Sequence, residues 1–176
     1  VGTFSGTIQF ETQSMTAASV ENTDNFLVKY AADGSMAWAR SLKGSKLDDI
    51  NAMDVANHQV VIGGVIRSED LAVDNAPGIL MKTLDTTGTW NSMLIISFDT
   101  DGNYQWNYIA GSSNQPTDVK TIAIEKDGSI WNAGTTFGTY YFNPDAEDEA
   151  KQFPSKAKGG QDMYLMKLSS KGGSVD

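Results

Sequence analysis

The chain has 176 residues, with 13 Lys plus Arg against 22 Asp plus Glu, a formal net charge of −9, one histidine and no cysteine. That balance argues against a nucleic-acid backbone or an anionic membrane surface as partner, since both need clustered Lys and Arg. It also leaves no disulfide, thiolate metal site or cysteine nucleophile, and the longest apolar runs are far too short for direct membrane insertion. The chain starts at Val1 without a Met or a basic, apolar signal segment, so it is expected to be a processed form or a piece of something longer, and its internal repeats favour the piece.

In chain order, GTFSGTIQF (Gly2–Phe10) alternates small and β-branched residues and predicts one strand. A polar connection, Glu11–Thr23, leads to DNFLVKYAADGSMAWARSLKG (Asp24–Gly44), two short apolar runs joined by Asp33-Gly34. An Asp-Gly pair supplies the positive φ that a tight hairpin needs. A second hairpin pairs Ile50–Val55 with Gln59–Ile66 through Asn57-His58, and a third pairs Met93–Asp99 with Tyr104–Ala110 through Asp101-Gly102. Asp118–Phe137 repeats the second hairpin, with Asp127-Gly128 as its turn, and Gln161–Gly173 begins the third again.

These segments recur at constant spacing. Gly34 to Gly102, Trp38 to Trp106 and Phe26 to Leu94 are each 68 residues apart, while Lys29 to Lys167 and Gly34 to Gly172 are each 138 apart. A shared offset over several positions marks an internal repeat, here of four strands. VVIGGVI and MLIISF are apolar on both faces, as strands sandwiched between neighbouring sheets must be. Four-stranded antiparallel sheets stacked face to face are propeller blades, so the expected fold is an all-β β-propeller of about two and a half blades. Residues 1–44 would supply strands two to four of one blade, 49–111 a complete blade, and 118–176 strands one to three of a third. Closing such a ring calls for further blades or a partner protein.

Between strands two and three of each unit lie the segments that do not repeat: Glu11–Thr23, Arg67–Asn91 and Thr139–Gly160. In a propeller they crowd one face of the disc. The last carries FNPDAEDEAKQFP, with a capping Asn143, Pro144 at the first helical position, acids at the amino end and a terminating Pro154. This grammar predicts a short surface helix near 143–152.

The pattern D-x-F-x-x-K-Y-x-x-D-G-x-x-x-W (Asp24, Phe26, Lys29, Tyr30, Asp33, Gly34, Trp38), followed by an A-M-D-V-x-N strand-turn and a V-x-G-G strand, resembles the bacterial SBBP repeat of seven-bladed β-propellers. The GTFSGTIQF opening is similar to the version in surface and secreted proteins of Bacteroidetes-type bacteria. The resemblance implies a propeller, an extracellular or bacterial cell-surface location and no shared catalytic motif. The chain departs from the pattern in three places: Ser97 stands where the hairpin lysine belongs, Asn57-His58 replaces Asp-Gly, and Arg67–Asn91 is long.

Trp38 and Trp106 repeat at one scaffold position, which favours packing over ligand stacking, and Trp131 within a strand reads the same way. Trp90, Tyr140 and Tyr141 lie in or beside insertions and are the candidate ligand contacts. Asp99–Asn103 (DTDGN) has the spacing of a calcium loop but no glutamate at the twelfth position, so an Asp-Gly turn is the expected role. Glu69, Asp70 and Asp74, or Asp145 to Glu149, offer acidic clusters of the kind that usually solvate a surface. His58 has neither a G-x-S-x-G elbow nor an oriented partner. No catalytic residue, cofactor or metal is therefore assigned. The favoured function is a non-enzymatic scaffold or protein-interaction module, followed by a glycan- or peptide-binding module on the inserted loops, then a polysaccharide-active enzyme with carboxylate catalysis.

Overall fold

Strand periodicity and Asp-Gly turns shape almost every element of the computed structural model, which describes residues 1–19, 22–85, 87–112, 114–142 and 154–172. The chain runs through β1 (Gly2–Phe4), a hairpin of β2 (Thr7–Phe10) and β3 (Gln13–Thr16), and a hairpin of β4 (Asp24–Tyr30) and β5 (Met36–Lys43). It continues with β6 (Asp49–Ala56) and β7 (Gln59–Ile66), the short β8 (Leu71–Val73) and β9 (Leu80–Met81), and the hairpin of β10 (Ser92–Asp99) and β11 (Tyr104–Ala110). It finishes with β12 (Thr121–Ile124), β13 (Ile130–Tyr141) and β14 (Pro154–Leu168).

These strands form four antiparallel sheets: β1-β4-β5-β8-β9, then β11-β10-β7-β6, then β12-β13-β14, and the separate pair β2-β3. The four strands expected between residues 49 and 111 make up the whole of the second sheet. No helix occurs among the described residues, and none is long and apolar enough to cross a membrane. The helix expected over 143–152 lies outside the described residues. Pro154, expected to stop it, instead opens β14, where Pro154, Ser155 and Lys156 pair with Tyr141, Tyr140 and Thr139.

The central strands of the second sheet, β7 and β10, are buried on both faces, as their double-sided apolar runs require, while the edge strand β6 leaves Met53 and Val55 exposed. Val60, Ile62, Leu94, Ile96 and Phe98 pack towards Leu27 and Leu42 of the first sheet. Val61, Met93 and Ile95 pack the other way, with Tyr108 and Ala110, onto Ile122, Ile130, Tyr164, Met166 and Leu168 of the third. Alternate residues of β7 and β10 thus serve two different cores.

Two segments expected as connections hold strands of their own. Gly2–Phe10 is not one strand: Gly6 takes a φ of +64°, a left-handed conformation that breaks the extended chain. Its second half folds onto β3 instead, and the resulting hairpin lays Ile8, Phe10 and Met15 over Phe4, Phe26 and Ala39 on the outer face of the first sheet. Arg67–Asn91 likewise supplies β8 and β9, which extend the first sheet beyond β5 through Leu42↔Val73 and Lys43↔Ala72. Leu71, Val73 and Met81 are buried there, so apolar gain and a free strand edge drew in a segment that the repeat leaves out.

The sheets are joined by one contact made twice. Trp38 Nε1 donates to the Thr100 carbonyl at 3.0 Å, and Trp106 Nε1 donates to the Ser170 carbonyl at 3.1 Å. Above each indole lies the turn glycine of the next sheet: a Cβ on Gly102 would stand 2.7 Å from Trp38, and one on Gly172 would stand 2.6 Å from Trp106. Both glycines have positive φ, so the turn type that reverses the hairpin also brings its backbone flat against the ring. A smaller contact recurs beside it. Gly111 bridges to Tyr141 as Lys43 pairs with Ala72, each time linking an outer strand to the insertion of the following sheet.

Candidate functional site

The Arg67–Asn91 segment is fastened to the end of the first sheet by carboxylates and hydroxyls, whereas the Glu11–Thr23 segment lies apart from it, over Met36 and Ala39. Asp74 Oδ2 accepts from the backbone and hydroxyl of Ser41 at 3.0 and 3.1 Å, and Asp70 Oδ1 accepts from those of Ser45 at 2.9 and 2.8 Å. The buried Asp48 accepts from Ser68 Oγ at 2.6 Å and from the amides of Arg67 and Ser68. Burial raises the pKa of Asp48 against those hydrogen bonds. These acids pin the insertion to the sheets, and no group of three or more His, Cys, Asp or Glu among the described residues could hold a metal ion. Asp145 to Glu149 lie outside the described residues.

Of the three candidate contacts, Trp90 is 39% exposed on a turn braced by Asp85. Asp85 Oδ1 accepts from the amide and hydroxyl of Thr87, and its Oδ2 accepts from the Trp90 amide at 2.8 Å. Burial works against this carboxylate, but the hydrogen bonds from Thr87, Trp90 and Thr89 outweigh it and lower its pKa. Tyr140 is 6% exposed, its ring 4.8 Å from and perpendicular to Phe142, which in turn meets Tyr164 at 5.6 Å. Tyr140 is thus held in packing. Tyr141 exchanges backbone hydrogen bonds with Gly111 and lines a cleft of about 410 Å³ with Ser112, Asn114, Gln115, Gly138 and Thr139. Trp90 and Tyr141 are tied to the same region, because Asn91 and Thr117 exchange hydrogen bonds and Thr117 bridges to Thr136 on β13.

DTDGN is a turn held by its own aspartate. Asp99 Oδ1 accepts from the Asp101 and Asn103 amides, and Oδ2 accepts from Asn103 Nδ2 at 2.9 Å and Gln105 Nε2 at 3.3 Å. Burial opposes ionisation, yet those bonds prevail and lower its pKa, so the group is anionic at neutral pH. Asn57 and His58 both take positive φ, 49° and 61°, which is how a non-glycine pair replaces Asp-Gly in this hairpin. Trp131 is half-buried, with Lys167 Nζ 5.3 Å from its ring; Lys167 also pairs with Glu125 at 2.6 Å.

Sequence reasoning missed a second cleft, between the outer hairpins of the second and third sheets. It measures about 410 Å³ and is lined by His58, Gln59, Ser97, Phe98, Asp99, Gln105, Trp106, Ser170 and Lys171. Ser97 Oγ and Gln59 Oε1 are buried there without a hydrogen-bond partner. The signal was the departure of Ser97 from the repeat lysine. No protein-family model matches the chain, and no curated protein matches it.

Proposed function

We propose that the chain is a stretch of an SBBP-type β-propeller acting as a non-enzymatic scaffold or protein-interaction module on the surface of, or secreted by, a bacterial cell. The joint between sheets carries this reading. A Trp-to-turn contact made twice, at equivalent repeat positions, defines a step that can be repeated around an axis. Two sheets packed once would need no such step.

The outer face of the third sheet supports further blades or a partner protein as its cover. Met163 and Leu165 are 84% and 68% exposed, whereas Met93 and Ile95, at the same repeat positions of the second sheet, are fully buried by the sheet that follows. The test is an extended chain in which residues 103–172 are repeated directly after Gly172, in register with the repeat. Met163 should oxidise rapidly with peroxide in the original chain and slowly in the extended one. Equal rates in both, with the extended chain folded, would count against propeller-type stacking.

A second reading, glycan or peptide binding on the inserted loops, is favoured by the exposed, Asp85-braced Trp90, whose neighbour Asn91 is hydrogen-bonded to Thr117 in the segment leading from the Tyr141 cleft. Aromatic rings presented on rigid turns are suited to stacking on a sugar face. A glycan array with Trp90→Ala as control tests it, and equal signal from both proteins, or none, removes that reading.

A further inference from the structure

We propose that the cleft between the second and third sheets binds a primary alkylammonium ion, in the place that the first joint fills with its own cationic side chains. The inference comes from comparing two joints that are otherwise alike. In the first joint Lys29 Nζ donates to the Thr100 carbonyl at 2.7 Å, and Arg40 Nε donates to the Gly102 carbonyl at 2.7 Å while its guanidinium stacks 5.5 Å from the Trp38 ring. Two cations thus neutralise the row of carbonyls on the facing turn. In the second joint the facing turn is Ser169–Gly172, Trp106 stands where Trp38 does, and the positions of Lys29 and Arg40 are Ser97 and Tyr108. The carbonyl row is retained and its cations are gone.

The space left is shaped and polar. The first joint keeps a cleft of about 160 Å³ lined by Lys29, Trp38 and Thr100; the second has about 410 Å³ lined by the equivalents Ser97, Trp106 and Ser170. What converges there is mostly acceptors. The Ser170 carbonyl receives Trp106 Nε1, and a carbonyl oxygen has a second lone pair to offer. Ser97 Oγ and Gln59 Oε1 have no partner, and Ser97 is only 1% exposed. Buried acceptors of this kind are costly unless a donor reaches them. Asp99, held ionised, adds a full negative charge at the rim. An ammonium carries three donors and one charge, which meets the carbonyl and the amide oxygen under the field of the Asp99 carboxylate, while a short alkyl stem lies against Trp106. Lys171 is the one permanent cation in the lining, exposed at the mouth, and it sets a limit on affinity.

The test is a titration of the 15N-labelled chain with n-butylammonium chloride, watched at the indole N–H signals. Trp106 donates its indole proton to Ser170 and reports on the cleft; Trp38, at the lysine-filled joint, is an internal control. The Trp106 signal should move saturably, with a dissociation constant on the order of millimolar for so small a ligand, and the Trp38 signal should stay. Ser97→Lys, which restores the repeat residue, should weaken binding by at least about tenfold. Gln59→Leu should weaken it several-fold, and Lys171→Ala should tighten it several-fold. These two also keep the proposal testable if Ser97→Lys fails to fold. Nα-acetyl-lysine-N-methylamide identifies the source: binding as tight as that of n-butylammonium assigns the cleft to lysine side chains, and markedly weaker binding assigns it to free amines. An equal response to n-butanol, no saturable shift of Trp106, or unchanged affinity in both Gln59→Leu and Lys171→Ala overturns the proposal and leaves a cleft filled by water only.

Discussion

Replacing the turn glycines one at a time separates backbone strain from sheet-to-sheet contact. Gly34, Gly102 and Gly172 occupy one repeat position with φ of 88°, 78° and 85°. A Cβ on Gly34 meets nothing within 4 Å, so Gly34→Ala costs only the left-handed backbone, about 1–2 kcal/mol. At Gly102 the same Cβ lies 2.7 Å from Cδ2 of Trp38 and 2.9 Å from two further ring atoms, all on a rigid side chain. The indole must shift, which adds about 1–3 kcal/mol of overpacking and strains its bond to Thr100. Gly102→Ala should therefore destabilise by about 2–5 kcal/mol in urea unfolding. The Trp38→Ala background should bring it back to the cost seen at Gly34, because the ring that creates the clash is gone. If Gly34→Ala and Gly102→Ala cost the same within about 0.5 kcal/mol, the joint is not the close contact described above.

Two further outcomes follow from burial and charge. Ile95→Ala should destabilise by about 2–5 kcal/mol, while Leu165→Ala, at the equivalent but exposed position, should change stability by less than about 0.5 kcal/mol; chemical denaturation of both variants checks this. Asp85, whose folded pKa is lowered, binds fewer protons folded than unfolded. Its contribution is present above the unfolded carboxylate pKa of about 3.9 and is lost as pH falls through the folded value. Melting curves across that acid range should show a shallower loss for Asp85→Asn than for the parent chain, and parallel curves would refute it. Asp48, whose folded pKa is raised by burial, has the opposite sign: ionising it weakens stability as pH rises from the unfolded value through the folded one.

The hairpins were legible because their information is local. Short continuous apolar runs in MLIISF and VVIGGVI, bounded by the turn pairs Asp101-Gly102 and Asn57-His58, specify strands buried on both faces. Repetition then made the Trp38 and Trp106 roles readable as packing. The inserted segments were harder. LAV at Leu71–Val73 is three residues long, too short for a periodic signal, and joins β5 only because that edge is open and Leu27 and Leu42 lie beside it. The same holds for Tyr140, which looks like an exposed loop aromatic until Phe142 and Tyr164 are placed around it.

The all-β class, the four-strand period and the turn positions are therefore properties of residue order, since each depends on neighbours a few positions away or on a repeated pattern. Which edge accepts β8, which face the β2–β3 hairpin covers and what surrounds Ser97 are properties of the assembled sheets. The replacement of lysine by Ser97 was visible in the sequence as a single departure. That it leaves unpartnered acceptors facing a row of carbonyls follows only once the third sheet's turn lies across from it, because a vacancy is defined by both of its walls.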